Sequence, residues 1–213
     1  MAVSYPLALP TARGVAQVTI RHRKIVGLSA SPFAALAQQT YEWPGNELWE
    51  ADIALPAMVR ADAAPWISFL VSLDGPIGTF LMGDRSATQP RGAAAQTPGT
   101  PQVAVGGATG KELAIKTGLG VVANYLRAGD WLQLGAAGTS RLYMVMKDVS
   151  LAADGHATVD IRPALRFATV VNETIVLAAP KGVWRLAGGT SEYMVDTASH
   201  YKAATIKAVE APY

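Results

Sequence analysis

Apolar residues in this chain recur mostly with a period of two, in short runs, and that pattern constrains the fold more than any other feature. From Val15 to Arg23 the sequence reads VAQVTIRHR, with Val18, Ile20 and His22 alternating with Gln17, Thr19, Arg21 and Arg23. Alternation of this kind separates two faces of a strand. Gln38 to Trp43 and Leu48 to Leu55 read as two more strands. Between them stands Pro44-Gly45-Asn46, where proline presets φ and glycine and asparagine tolerate positive φ, so a hairpin is expected. Trp49, Ala51, Ile53 and Leu55 then share one face, with Glu50 and Asp52 on the other. One segment departs from period two. Asp62 suits a helix cap, Pro65 the first turn, and Trp66, Ile67, Phe69, Leu70 and Leu73 follow at helical spacing. This stripe is expected to pack on a sheet, and Asp74-Gly75-Pro76 ends it.

Gly78 to Gly83 reads as a short buried strand. Composition then changes: residues 86–101, SATQPRGAAAQTPGTP, hold three prolines and two glycines and read as a linker or crossover. Short strands resume at Gln102–Val105, Glu112–Ile115, Trp131–Leu134, Arg141–Val149 and Ala157–Ile161, bounded by turn residues, as in a small barrel or sandwich. Thr174–Leu177, Val183–Leu186, Glu192–Asp196 and Tyr201–Val209 follow, the last two around Ser199-His200. The expected class is mainly β: a β-sandwich with one flanking helix, carrying an inserted small β-barrel or sandwich. The expected domains are residues 1–85 with 180–213, a discontinuous unit, and residues 86–179, the insert.

Half of the 213 residues are hydrophobic and 16% are charged, against roughly 25% charged in an ordinary soluble domain. There is apolar material for a core and for subunit interfaces, which resemble a core cut in half. The chain has no cysteine, so disulfides, thiolate metal sites and cysteine nucleophiles are excluded. The N-terminal MAVSYPLALP lacks a basic region and does not read as a signal peptide. The longest apolar run, Trp66 to Leu73, is far short of the ~18 residues that span a bilayer. A net charge of +2 is too small to imply nucleic-acid binding.

Motifs that carry chemistry fail on their details. Gly118-Leu119-Gly120-Val121-Val122-Ala123 matches a dinucleotide fingerprint, but a turn at Ala128-Gly129-Asp130 leaves no room for the helix the motif needs. Gly106 to Lys111 lacks the hydroxyl that follows the lysine of a phosphate loop. His22, His156 and His200 have no ligand partner at metal-binding spacing, and there is no nucleophile elbow. The reading is therefore a non-enzyme without cofactor or metal. Trp43, Trp49 and Trp66 fall where sheet and helix should pack, so most are expected in the core, whereas Trp131 and Trp184 are the aromatics whose exposure would support a carbohydrate-binding module.

Charge is unevenly distributed. Residues 1–41 contain Arg13, Arg21, Arg23 and Lys24 and no acid, while Glu42, Glu47, Glu50, Asp52 and Asp62 follow against Arg60 alone. These are either two solvated strand faces or complementary patches across a subunit boundary that fix its register. On the second reading, Arg21, Arg23, Lys24, Glu42, Glu47, Glu50 and Asp52 are inter-subunit contacts, and reversing Arg21 and Arg23 weakens assembly without unfolding.

In order along the chain, Ser31-Pro32-Phe33, Tyr41-Glu42-Trp43-Pro44-Gly45, Trp49-Glu50-Ala51-Asp52 and Met58-Val59-Arg60-Ala61-Asp62-Ala63 resemble the opening of tail-tip proteins of siphophages and Mu-like siphophages. Trp66-Ile67, Gly78-Thr79-Phe80-Leu81-Met82-Gly83-Asp84 and Arg127-Ala128-Gly129-Asp130-Trp131-Leu132-Gln133-Leu134 extend the resemblance. Arg141-Leu142-Tyr143-Met144-Val145 and Ile161-Arg162-Pro163-Ala164-Leu165-Arg166 continue it. The resemblance to distal tail proteins implies a tail-tube-like sandwich, an outward β domain and a homo-oligomeric ring, six-fold or, nearer the hub, three-fold. It implies a place in the virion at the distal end of the tail, after synthesis in the host cytoplasm. The implied partners are the tail tube protein, the hub and, for some members, a host-surface glycan. DNA would only pass through the lumen.

Overall fold

The computed structural model describes residues 3–11, 14–34, 36–196, 200–203 and 205–211. The described residues are mainly β, with one α-helix and several sheets. The first part contributes β1 (Leu7–Ala8), β2 (Gln17–Ala30), β3 (Gln38–Ala54), α1 (Arg60–Ser72) and β4 (Thr79–Met82). Next come β5 (Gln102–Val103), β6 (Gly110–Lys116), β7 (Val122–Leu126), β8 (Trp131–Leu134), β9 (Arg141–Val145), β10 (Val149–Leu151) and β11 (His156–Leu165). The chain returns with β12 (Gly182–Leu186), β13 (Tyr193–Val195), β14 (Tyr201–Ala203) and β15 (Ile206–Glu210).

Six strands form one sheet in the order β1-β4-β12-β15-β3-β2. Its register places Phe80, Trp184 and Glu210 in one row across β4, β12 and β15, and Trp49 and His22 in one row across β3 and β2, with Trp49 N–H donating to the Glu210 side chain between them. That face is covered. Phe69 of α1 meets Phe80 edge-on at 5.6 Å, and Trp66, Leu70 and Leu73 are buried in the same core. Trp131 and Leu142 belong to this core too, although they come from strands of the second sheet. The opposite face carries Arg185, Lys207, Asp52, Glu50, Arg21 and Arg23, in phase with one another and out of phase with the core.

The second sheet has the order β5-β6-β11-β9-β8, and β7 pairs with β10 beside it. Tyr125, Leu132, Tyr143, Val145, Val159 and Ile161 are fully buried in their common core. Residues 86–101 are not merely a connector: Ala94 is buried in this core.

Several local expectations need correction. Pro44-Gly45-Asn46 does not reverse the chain. It lies inside the continuous β3, with Gly45 at φ 76°. The β2–β3 register shifts here, with Ile25 alone between Lys24 and Val26 facing residues 43–46 of β3, and the Asn46 side chain donates to the Ile25 carbonyl at 2.6 Å. The irregularity that read as a turn is thus absorbed as a bulge. The reversal falls at residues 31–37, where Ser31 N–H donates to the Ala37 carbonyl at 2.8 Å. The helix starts at Arg60, before Asp62, so Asp62 lies in its first turn and Pro65 inside it. The Gly118–Ala123 segment runs into β7, a strand missed in the sequence. Residues 174–177 contribute only bridges, at Thr174 and Val176. Of the turn expected at Ser199-His200, Ser199 lies outside the described residues.

Candidate functional site

Two features stand out from a well-covered sheet: a charged seam where the two sheets meet, and a long two-stranded ribbon.

The seam is built from core-phase positions that hold acids. Alternation carries Glu47 to the same side as Trp49 and Ala51, and Glu210 to the side of Ile206 and Ala208; both carboxylates are buried. Arg166, just beyond β11, answers them. Its guanidinium pairs with Glu210 and donates to the Glu47 carbonyl at 2.5 Å. Glu210 also accepts from Trp49 N–H at 3.2 Å, and the Trp49 indole donates to the Leu142 carbonyl at 3.0 Å. Burial pushes the Glu210 carboxyl above the ordinary carboxylate range, against the opposing pull of Arg166. Glu47 goes the other way. Burial raises it, but the Ala164 N–H at 3.1 Å, Lys111 at 3.3 Å and Lys24 at 3.4 Å together hold it below that range. Arg166, Glu210 and Lys111 were not singled out in the sequence. Acids at core phase were the available signal.

The charged residues expected at a subunit boundary are paired with one another within the chain. Arg21 donates to Asp52 at 2.8 Å and Arg23 to Glu50 at 2.7 Å, diagonally across the β2–β3 pair. Lys24 lies 2.9 Å from Glu42, and His22 Nε2 lies 3.6 Å from Glu47. The Lys24 hydrogen bond, then that of Lys111, holds the Glu42 carboxyl below its ordinary range. The two charge patches are complementary because β2 and β3 are neighbours in one hairpin. Charge reversal at Arg21 and Arg23 therefore strikes the hairpin's own pairs first.

The tryptophans exchange roles. Trp131 and Trp184 are buried, at 5% and 0% exposure, so neither offers a face to a sugar. Trp131 packs on Trp49 at 4.8 Å, and the Trp184 indole donates to the Met82 carbonyl at 2.8 Å. Trp43, expected in the core, is 58% exposed. It lies over Gly27, where a Cβ would come within 3.2 Å of its ring.

Trp43 belongs to the ribbon. β15 pairs with β3 only from Glu50 to Ile53, while β2 pairs with β3 out to Ala30 and Gln38. Beyond the bulge, each ribbon strand runs about six residues, or roughly 20 Å. Ile25, Gly27, Tyr41 and Trp43 share one face, and Val26 and Leu28 lie on the other. All but Gly27 are exposed large hydrophobics, as are Phe33 and Leu36 near the tip, at 96% and 99%. Among the described residues, the outer edge of β2 pairs with no other strand along its length.

Among the described residues no group of three or more His, Cys, Asp or Glu could hold a metal ion, and no helix is long and apolar enough to cross a membrane. Glu47 and Glu50 sit on opposite faces of β3, and Asp148 and Asp154 are engaged separately, with Ala128 N–H and with His156. No protein-family model matches the sequence, and no curated protein matches it.

Proposed function

We propose that this protein is a non-enzymatic structural subunit that assembles into a homo-oligomeric ring, in the manner of the distal tail proteins its ordered motifs resemble. On this reading it sits in the virion at the tip of a bacteriophage tail. There it joins the tail tube to the hub and receptor-binding apparatus.

The observation that carries the reading is the ribbon. A two-stranded hairpin with apolar side chains on both faces is marginal in water. An open 14-residue edge strand is a template for pairing with another chain. A monomer gains nothing from either, whereas a subunit buries both against neighbours. The carbohydrate-binding alternative loses its two candidate aromatics to the core. Native mass spectrometry and negative-stain imaging of the purified chain test the proposal. Closed rings, six copies being favoured, are expected; a monomer persisting at high concentration refutes it.

A further inference from the structure

The ribbon needs a place to dock, and the other half of β2 offers one. A cleft of about 570 Å³ lies between the sheet edge and the insert. Val18, Ile20 and Trp49 form its floor on the sheet, and Trp131 and Met144 form its wall on the insert. Val18, Ile20 and Met144 are only half-buried, so this part of the covered face is left unfilled. The cleft opens beside the unpaired outer edge of Gln17–Arg23. A strand added to that edge would direct alternate side chains into it, which is how strand addition gains specificity.

We infer that this edge and cleft receive the ribbon of a second copy, an assignment that rests on the ring reading above. Three observations favour that occupant. The ribbon has open edges and apolar side chains on both faces, so whichever side meets the cleft brings groups such as Val26 and Leu28, or Tyr41 and Trp43. Between residues 25 and 43 the only charge is Glu42, so the ribbon brings no cation against Arg21, Arg23 and Lys24 on the receiving strand. A symmetric pairing of β2 with β2 of a second copy is disfavoured. Antiparallel pairing over the strand's length would bring Arg23 and Lys24 of both copies together, and like charges directly opposite are destabilising. Ribbon into cleft is thus a head-to-tail contact. It leaves one free ribbon and one free cleft on every open chain of subunits until a ring closes.

The test uses full-length variants. Leu28→Lys with Trp43→Lys alters only exposed ribbon positions and makes a copy that receives but does not donate. Met144→Lys makes one that donates but does not receive. Each alone should run as a monomer in native mass spectrometry, at concentrations where the unaltered chain is assembled. An equimolar mixture should give a 1:1 heterodimer and stop there. Because the chain has no cysteine, Leu28→Cys with Met144→Cys gives a clean second readout. A short bismaleimide should yield a ladder of covalent oligomers, and neither single cysteine variant should. This arm does not require Met144→Lys to fold. If the unaltered chain is monomeric, the ring reading itself fails. If it assembles while the lysine variants still assemble normally and the double-cysteine ladder is missing, the ring survives and the docking assignment is overturned.

Discussion

Replacing Arg166 by methionine tests whether the seam between the sheets is held by a buried ion pair. The Arg166 and Glu210 side chains are 8% and 1% exposed. The substitution leaves the Glu210 carboxylate buried without its counter-charge and removes the donor to the Glu47 carbonyl. Breaking a buried pair from one side costs about 3–5 kcal/mol. In a chain of this length each kcal/mol moves Tm by ~2–4 °C, so Tm should fall by roughly 6–20 °C. Removing both charges, as Arg166→Met with Glu210→Leu, should restore much of the loss. Recovery is incomplete, because Trp49 N–H loses its acceptor, an unsatisfied donor worth ~1–3 kcal/mol. The pH dependence has a definite sign. Glu210 is already raised by burial, and losing Arg166 raises it further. A raised carboxyl contributes its stability fully below the unfolded value, about 4.3, and loses it as pH rises through the folded value. The deficit of Arg166→Met relative to the parent should therefore be largest at neutral pH and shrink on acidification. Glu47, held low, loses its contribution as pH falls, but does so in both proteins. Chemical denaturation from pH 4 to 8 measures the difference. A deficit below about 1 kcal/mol, or one indifferent to pH, refutes the argument.

Two other predictions follow from single contacts. The buried Tyr125 hydroxyl donates to the Pro98 carbonyl at 2.6 Å, and burial pushes it up to about 12. Tyr125→Phe should cost ~1–3 kcal/mol. Ultraviolet titration of the parent should show a tyrosine that resists ionisation until about pH 12, with its stabilisation lost as pH rises through that value. Gly83 lies against the Pro180 carbonyl oxygen, 2.0 Å from where a Cβ would sit. Gly83→Ala should cost ~1–3 kcal/mol or more as the β4–β12 edge shifts, which thermal unfolding would reveal.

Much of the architecture was legible because period two is a direct signature of half-buried strands. Trp49, Ala51 and Ile53 announced their face, and α1 its apolar stripe. Two errors at Pro44-Gly45-Asn46 and Trp43 share a cause. Turn chemistry and bulge chemistry use the same residues, and only the partner strand decides between them. Reading a turn there hid the ribbon and assigned Trp43 to the core. The charged residues read as complementary from the sequence, and in the structure they pair with one another across the β2–β3 hairpin. Within a hairpin, the register that pairs Arg21 with Asp52 depends on how far β2 runs. The Arg166–Glu210 pair joins positions 44 residues apart and had no local signature beyond an acid at core phase.

The position of β15 between β12 and β3 has a consequence for biogenesis. Its hydrogen-bonding partner β3 leaves the ribosome about 150 residues earlier, and at ~5–20 residues per second the wait is on the order of ten to thirty seconds. During that interval Trp49, Ala51 and Ile53 lack the strand that completes their layer, while the strands of the second sheet emerge with the residues of their common core. The nascent chain thus passes through a stage in which every strand of the second sheet is present while the first sheet is still an apolar half-sheet. That stage is when a chaperone, or premature pairing between neighbouring polypeptides, has its opportunity.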